Sequence, residues 1–268
     1  MKMHTKRFTQ SGMTLVEILV VISIIALLAG MIVPAVGKAK VKAKIAKAKT
    51  EMGDIKGAIS AYRADYSILP SSPAAAARGT DMVFGTWGVA GYSGTAGFAG
   101  TTITNGGAYE ANNQELMLIL TATSTNQFPG ASNGVNENNA RNTKKTTYLN
   151  AKQNSGTGPG LGYDAIYRDP WGLPYIVTVD LNYDDYVYPA IYRRNLVSQK
   201  SGAVGYFGAI KQGTGGGGVN NWAVRDAVAV WSMGPDKGFV PNQNAEAQAT
   251  VANKKVSNSD NVLSWDSE

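Results

Sequence analysis

An apolar run near the N-terminus constrains the fold of this chain most. Ile18 to Val36 comprises nineteen residues with no charge and one hydroxyl, that of Ser23. A helix rises about 1.5 Å per residue, so this run just spans the ~30 Å hydrocarbon core of a bilayer. A helix in a protein core would normally carry a polar stripe, and this run has none. The sequence therefore predicts a membrane-spanning helix.

The flanks of the run indicate its orientation and its type. Lys2, Lys6 and Arg7 precede it, which predicts that the short N-terminal arm stays in the cytoplasm and the rest of the chain is exported. A cleaved secretory signal has its small residues after the apolar run. Here Ser11 and Gly12 come before it. An uncleaved signal anchor is the alternative.

Glu17 is the unusual residue of this segment, because it places a carboxylate at the start of the span. A charge costs on the order of 3 kcal/mol near the bilayer centre and less near the interface. In one interpretation Glu17 lies at the headgroup boundary, where the positive end of the helix dipole stabilises it. In the other, it needs a cationic partner within the membrane. The order of the neighbouring residues favours the second interpretation.

Gly12, followed by Met13-Thr14-Leu15-Val16-Glu17 and an apolar span, resembles the class III signal of type IV pilins and type II secretion pseudopilins. The resemblance implies that prepilin peptidase cuts after Gly12 and methylates the new N-terminus at Met13. It also implies that Glu17, the fifth residue of the mature chain, pairs with the N-terminal amine of a neighbouring subunit during assembly. A charge pair in low dielectric is satisfied only when its partner is present. Met13 departs from the phenylalanine usual in the family.

The basic charge of the chain is concentrated near the predicted membrane segment. The net charge is +6, and residues 1–56 contain ten of the 25 basic residues but three of the 19 acidic ones. The remainder, with 15 basic and 16 acidic residues, is nearly neutral. A solvated helix face or contact with anionic headgroups explains this better than a nucleic-acid groove. We therefore expect no nucleic-acid partner.

Several classes of catalytic site are excluded by composition. The chain has no cysteine, and its one histidine, His4, lies in the predicted leader. Cysteine nucleophiles, Ser-His-Asp triads and thiolate or imidazole zinc sites are therefore absent from the mature chain. A pair of catalytic carboxylates stays possible, because such pairing is spatial. No motif points to one, and we expect the protein not to be an enzyme.

Beyond the span, the pattern predicts that the helix continues as an amphipathic stem. Pro34, flanked by Gly30 and Gly37, predicts a kink. Apolar residues then recur by four and three: Val41, Ile45, Ala48, Met52, Ile55, Ile59, Tyr62 and Tyr66. Such a stripe fits either a coiled coil or a helix that packs on the protein's own sheet, and we favour the second. One helix from residue 13 to about 69 is predicted, ending before Pro70.

The middle of the chain is rich in Gly, Ala, Ser, Thr and Asn, which favours loops. Within residues 71–154 we expect an extended loop with buried aromatic residues at Trp87, Tyr92 and Phe98. The segment from Asn113 to Thr121 predicts a short helix with an Asn cap. Residues 213–219, GTGGGGV, predict a second flexible loop.

The C-terminal half predicts strands that form a small antiparallel sheet on the stem helix. Alternation and β-branched residues favour strands at 174–180, 186–192, 203–208 and 227–232. Asp169-Pro170-Trp171-Gly172-Leu173-Pro174-Tyr175 resembles the box that leads into the sheet of the type II secretion major pseudopilin. From the residues alone, it is a rigid turn with a tryptophan to bury.

Ser232-Met233-Gly234-Pro235-Asp236, followed by Ser259-Asp260 and Trp265-Asp266, resembles the C-terminal calcium loop of the same family. The resemblance implies Asp236 and Asp260 as side-chain ligands of Ca²⁺ and Met233 as a carbonyl ligand. A hard cation that takes six to eight oxygens suits such a loop. The insertion at 239–258 departs from the family's shorter loop. The alternative is that both aspartates are ordinary turn residues.

A second acidic stretch, Asp180 to Asp185 (DLNYDD), begins with the rhythm of an EF-hand loop. Asp185 stands where that loop needs glycine, and Ile191 stands where it needs a bidentate glutamate. We therefore interpret this stretch as a hairpin turn that links two strands.

These patterns together predict an α+β, pilin-like fold with long loops. The expected parts are a class III leader (1–12), a transmembrane or filament-core helix (13–36), an amphipathic stem helix (37–69) and a globular head (70–268). The resemblance implies a structural subunit that packs head to tail into an open helical filament of the type II secretion pseudopilus. The alternatives are a type IV pilin for adhesion, motility or DNA uptake, and a membrane-tethered glycan-binding or hydrolytic domain.

The same resemblance implies a set of partners and a location. The expected partners are other copies of the chain, prepilin peptidase, the inner-membrane assembly platform and minor pseudopilins. The expected location is the inner membrane, crossed once, with the head in the periplasm.

Overall fold

The computed structural model describes residues 13–85, 110–124, 128, 135–201, 204–212, 221–238, 248–251 and 254–265. The chain forms two units, Met1–Ala43 and Lys44–Glu268. The loop with Trp87, Tyr92 and Phe98, the glycine-rich segment 213–219 and the leader with Gly12 lie outside the described residues.

One long helix, α1 (Leu15–Tyr66), confirms the helix predicted for the N-terminal region. It continues through Pro34. It ends three residues before the predicted end, because Ser67 adopts a left-handed conformation with φ of 58°. The Ser67 N–H then donates to the Arg63 carbonyl at 2.8 Å, which satisfies an orphan acceptor at the helix end.

The remaining helices are short. They are α2 (Pro73–Ala76), α3 (Gln114–Leu120) and α4 (Asn195–Ser198), with 3₁₀ turns at Glu137–Asn139, Ala190–Arg193 and Tyr206–Gly208. Helix α3 confirms the helix predicted for residues 113–121, but the predicted Asn cap was wrong. The Asn113 side chain forms no capping hydrogen bond and instead donates to the carbonyls of Tyr167 at 2.8 Å and Tyr175 at 3.0 Å.

The described strands are short as well. They are β1 (Met82–Phe84), β2 (Glu110–Ala111), β3 (Gly160–Leu161), β4 (Tyr167–Arg168), β5 (Ile176–Val179), β6 (Gln199–Ser201), β7 (Val204–Gly205), β8 (Ile210–Lys211), β9 (Trp222–Ala223), β10 (Val228–Ser232), β11 (Gln248–Val251), β12 (Lys254–Ser257) and β13 (Val262–Leu263).

The main sheet has five strands in the order β13-β10-β5-β1-β2. Its pairs are antiparallel except β1–β2, which is parallel. At its centre, Val177 of β5 lies opposite Val230 of β10 on one side and Phe84 of β1 on the other. A four-stranded sheet, β6-β7-β8-β9, and two two-stranded ribbons, β3-β4 and β11-β12, complete the described strands.

The upper half of α1 packs on one face of the main sheet, as predicted for the stem. Its Met52, Ile55, Ile59 and Tyr62 share a buried core with α3 and with alternate residues of β5 and β10, such as Val177. This packing on the protein's own sheet supports the stem over the coiled coil.

The opposite face of the main sheet is covered too. Ile176 and Trp231, whose neighbours along the strand face α1, pack against Ile191, Tyr192 and Val197. Because side chains alternate between faces along a strand, a sheet covered on both sides needs continuous apolar strands. This explains why all the residues of β5 and β10 are buried.

Two strand predictions were wrong in part. In the segment 186–192, Val187 makes an isolated bridge to Val224, and Ala190–Arg193 forms a 3₁₀ turn. Pro189 has no N–H to donate to a ladder, which explains why the strand does not continue. In the segment 203–208, β7 is followed directly by the 3₁₀ turn Tyr206–Gly208. The strands predicted at 174–180 and 227–232 are present as β5 and β10.

Candidate functional site

The N-terminal end of α1 is closed by a reciprocal pair of side chains. The Thr14 N–H and hydroxyl donate to Glu17 Oε2 at 2.7 and 2.9 Å, and the Glu17 N–H donates to Thr14 Oγ1 at 3.3 Å. This is the arrangement of a capping box, in which two side chains satisfy orphan N–H groups of the first turn. In the single chain, Thr14 therefore holds the Glu17 carboxylate at the helix N-terminus.

Sequence reasoning missed the role of Thr14. The signal was present, because a threonine three positions before a glutamate and ahead of an apolar run is the pattern of such a cap. The cap does not conflict with pairing between Glu17 and the N-terminal amine of another subunit, since a carboxylate can accept several hydrogen bonds. Cleavage after Gly12, methylation of Met13 and assembly through Glu17 stay predictions.

The part of α1 that follows the cap exposes its apolar side chains on every side. Every residue from Met13 to Lys44 is exposed, and α1 is the one helix in the described part of the chain that is long and apolar enough to cross a membrane. A contiguous apolar surface of this size needs a cover, either lipid or other protein. The membrane segment and the filament core predicted for residues 13–36 both meet that requirement.

The box at residues 169–175 is built around one buried carboxylate. Asp169 Oδ1 accepts from the N–H groups of Trp171 and Leu173, both at 2.9 Å. Asp169 Oδ2 accepts from the Ser232 hydroxyl at 2.6 Å, and Ser232 Oγ accepts from the Gly234 N–H at 3.1 Å. Burial raises the pKa of Asp169 above its usual value. The box therefore anchors the start of the loop in which calcium ligands are predicted.

That loop brings the two predicted side-chain ligands together. The Asp236 N–H donates to Asp260 Oδ2 at 3.2 Å. Asp260 Oδ1 is buried and has no hydrogen-bond partner in the structure. Burial, and next the negative charge of Asp236, raise the pKa of Asp260 to about 7. The two carboxylates place more acceptor oxygens here than there are donors to satisfy them, and a hard cation binds such oxygens.

Met233 lies at the same place, against the segment that contains Asp260. The Asn261 amide, oriented to give every atom a partner, donates to the carbonyls of Met233 at 3.1 Å and Gly238 at 3.2 Å. Gly234 has φ of 67°, and a Cβ there would lie 2.0 Å from the Asp260 carbonyl oxygen. A glycine is therefore required for this close approach.

Among the described residues, no three His, Cys, Asp or Glu side chains are grouped so that they could hold a metal ion. A cation at Asp236 and Asp260 would therefore take its other ligands from main-chain carbonyls such as that of Met233, from amides or from water.

The acidic stretch at 180–185 is a turn, as predicted, but it does not form a hairpin. Asp180 accepts the N–H groups of Asp184 at 3.3 Å and Asp185 at 3.0 Å, which closes the turn. The strand before it, β5, pairs with β1 and β10, neither of which follows it directly in the chain. The predicted link between two adjacent strands was wrong, because residues 186–192 are not a strand of this sheet.

A buried aspartate lies against this turn. Asp81 Oδ2 accepts from the Tyr188 N–H at 2.8 Å. Burial, and then the nearby charges of Asp180 and Asp184, raise the pKa of Asp81 to about 7, while Arg193 acts in the opposite direction. No sequence pattern marked Asp81, because the residues that bury it are far away in the chain.

Comparison with known proteins agrees with these features. Residues 7–33 match the prokaryotic N-terminal methylation motif. Over 67 residues the chain is 39% identical to type II secretion system core protein G of Pseudomonas aeruginosa. That match covers 25% of this chain and 47% of the relative. No solved structure matches the chain.

These matches support a pilin-like protein with a prepilin-type N-terminus. The methylation motif covers Gly12, Met13 and Glu17, the residues to which the sequence assigned cleavage, methylation and assembly. The structure also has the expected α+β arrangement of a long N-terminal helix and a small sheet. The chain spans about half the length of the curated relative that it matches. The match therefore supports the N-terminal region of the chain and leaves the activity and partners of the whole protein to be proposed.

Proposed function

We propose that this pilin-like protein is a structural subunit of a type II secretion pseudopilus. Prepilin peptidase cuts it after Gly12 and methylates Met13, and the mature chains pack through their apolar helices into a filament that supports protein export. The protein is not an enzyme on this proposal. The observation that carries it is the prepilin-type motif at residues 7–33, which leads into an apolar helix exposed on every side.

The proposed partners follow from that role. They are further copies of the chain, prepilin peptidase, the inner-membrane assembly platform and minor pseudopilins. The name of the matched relative, a type II secretion system core protein, supports this system over a type IV pilus. The subunit would first lie in the inner membrane with its head in the periplasm and then join the periplasmic filament.

The mass of the mature N-terminal peptide tests the processing step. In cells with prepilin peptidase, we expect a peptide that begins at N-methylated Met13. In cells without the peptidase, the peptide should begin at Met1 and carry no methyl group. A chain that begins at Met1 in both strains would contradict the pseudopilin and pilin proposals together and favour a tethered domain.

The orientation of the span needs its own test, because of the charges that flank it. Six lysines lie between residues 38 and 49, against three basic residues before the span. Counted over short flanks, this asymmetry opposes the export of the head that the basic residues before the span predicted, so the proposed orientation rests on the prepilin-type motif instead. Protease added to intact spheroplasts should nevertheless digest the head if the proposal is correct. A head that is protected until the membrane is broken would contradict the periplasmic location.

A bound Ca²⁺ is the second part of the proposal. Asp236 and Asp260 would hold it with their carboxylates and Met233 with its carbonyl, and the ion would clamp residues 233–238 to residues 260–261. The unpaired buried oxygen of Asp260 beside Asp236 supports this assignment. The ion would neutralise two carboxylates and cross-link the C-terminal region of a chain that has no disulfide.

Calorimetry of the full chain in detergent tests the calcium site. We expect binding of one Ca²⁺, and its loss in Asp236→Asn and in Asp260→Asn. Asp184→Asn is the matched control, because it removes a carboxylate from the other acidic stretch and should leave binding unchanged. Binding that survives Asp236→Asn and Asp260→Asn, or no binding to the unmodified chain, would contradict the assignment.

A further inference from the structure

Four lysines surround α1 directly after its apolar span. Lys38, Lys40, Lys42 and Lys44, called the lysine collar below, follow Val36 within eight residues, and all are exposed. No Asp or Glu occurs in the chain between Glu17 and Glu51. In the described part of the chain, none of the four lysines forms an ion pair, whereas Lys47 lies 3.6 Å from Glu51. The collar is therefore a compact positive charge without a counter-charge from its own helix.

The collar has charge on opposite sides of the helix. Lys38 and Lys42 are four residues apart and share one face, as do Lys40 and Lys44. The two pairs are offset by two residues, which is a rotation of about 200° around a helix of 3.6 residues per turn. An acidic protein partner would meet one side of the helix. A layer of anionic groups that surrounds the helix would meet both.

The collar also lies at the depth of such a layer. If the apolar run ends at Val36 at the edge of the hydrocarbon, Lys38 to Lys44 begin about 3 Å and end about 12 Å beyond that edge. The polar headgroup layer extends roughly 5–7 Å on each side of the membrane. The long lysine stems let the charged ends reach back toward it. A basic side chain near a membrane surface that contains anionic lipids is attracted to it by about 1 kcal/mol, because the charges are opposite.

We propose that the lysine collar is a binding surface for the headgroups of acidic phospholipids. The inference rests on the membrane-spanning part of the proposed function and does not require a filament. It gives the subunit an annulus of acidic lipid at the head-side end of its span. This annulus would hold the subunit in the membrane before it is extracted into an assembly.

The absence of cysteine allows a site-specific test in the full chain. A single Gly37→Cys substitution, labelled with a fluorophore, places a probe beside the collar in open space. The labelled chain is reconstituted in phosphatidylcholine bilayers that contain one part in ten of brominated phosphatidylglycerol or, in parallel, brominated phosphatidylcholine. Bromine quenches the probe on contact, so the ratio of the two quenching efficiencies measures lipid preference.

We expect the phosphatidylglycerol to be enriched about two- to four-fold at the probe and the enrichment to fall in 1 M salt, where the screening length is about 3 Å. Replacing all four lysines with Gln should remove the enrichment. The matched control replaces the same four with Arg, which keeps the charge and a similar helix propensity and should retain it.

Three outcomes would overturn the inference. Equal quenching by the two lipids in the unmodified chain would show that the collar has no lipid preference. Enrichment that persists in the Gln variant would assign the preference to another part of the protein. Quenching by neither lipid would place Gly37 outside the bilayer and contradict the membrane placement as well. If the lipid enrichment is found but the N-terminus is unprocessed, the filament proposal alone is contradicted.

Discussion

At the scale of the residue, the structure contains buried carboxylates whose surroundings differ. Asp169 receives two N–H groups and a hydroxyl, and Glu51 accepts the Tyr175 hydroxyl at 2.6 Å. Burial, followed by the Glu51 contact, raises the pKa of Tyr175 far above its usual value, so it stays a donor. Asp81 lies among further carboxylates at the turn, and its pKa is raised to about 7. We therefore expect Asp81 to make stability depend on pH.

The sign of that dependence follows from the direction of the pKa shift. Asp81 has a pKa of about 7 when folded and about 3.9 when unfolded. Between these values the folded state binds more protons than the unfolded state. The contribution of Asp81 to stability is therefore greatest below pH 4, falls as the pH rises to about 7, and is level above that. Asp180 and Asp184 are the charges that strengthen the effect, and Arg193 weakens it.

Asp81→Asn should remove this contribution from the pH dependence of stability and leave that of Asp260, whose pKa is also raised to about 7. The amide oxygen can still accept from Tyr188, and the group no longer ionises. Between pH 4 and 7, we expect the unfolding free energy of the variant to fall by about 2–4 kcal/mol less than that of the unmodified chain. Urea unfolding of the full chain in detergent, followed by tryptophan fluorescence, measures it. Asp54→Asn, at an exposed carboxyl, is the control, and an identical profile for both variants would contradict the role of Asp81.

At the scale of the element, α1 changes its environment along its length. Up to Lys44 its residues are exposed, whereas further on Met52, Ile55 and Ile59 are fully buried against α3 and the main sheet. The same helix therefore serves as an apolar surface in one unit and as part of a protein core in the other. Burial against the sheet, and not helix propensity, supplies most of the stability of the second part.

Ile59→Ala tests the contribution of that core packing. Ile59 is fully buried, so truncation should leave a cavity and lower the unfolding free energy by about 2–5 kcal/mol. Ile68→Ala is the matched control, because Ile68 is 41% exposed and should lose less than about 1 kcal/mol. Urea unfolding of both full-length variants in the same detergent measures the difference. Equal losses would mean that the stem does not depend on this core.

At the scale of the whole molecule, the proposed filament depends on the charge at the N-terminus. In the single chain, the Thr14 N–H and hydroxyl already donate hydrogen bonds to one oxygen of the Glu17 carboxylate. The free amine of a processed neighbour would add a charge-assisted hydrogen bond, which is stronger than a neutral one. Assembly should therefore need both the cleavage and the negative charge, while membrane insertion should need neither.

Glu17→Gln should separate these two steps. The amide keeps an oxygen that can accept from Thr14 but cannot form an ion pair. We expect normal membrane insertion and cleavage after Gly12, together with at least a tenfold loss of sheared filaments recovered by sedimentation, a loss of about 1.4 kcal/mol or more. Glu17→Asp keeps the charge and is the control. Filaments formed equally by Glu17→Gln and by the unmodified chain would show that the charge pair does not set assembly.

Short-range patterns in the sequence were sufficient for the elements. The period of the stripe from Val41 to Tyr66 predicted the buried side of α1 from Ile45 onward, although Val41 itself is 40% exposed. Alternation predicted β5 and β10. The Thr14–Glu17 cap was readable too, since its partners are three positions apart. The same local reasoning failed at residues 186–192, where Pro189 interrupts a strand-like composition.

Contacts between distant parts of the chain were decided by the tertiary structure. Glu51 is not part of the predicted apolar stripe, yet it is buried, and Tyr175, 124 positions later, donates a hydrogen bond to it. The Asp169–Ser232 pair joins residues 63 positions apart, and Asp81 meets its acidic neighbours only through the packing of the turn on β1. Periodicity specifies which face of an element is apolar, because it depends on neighbours within one or two turns. It does not specify which polar group that face meets, because this depends on how the elements pack together.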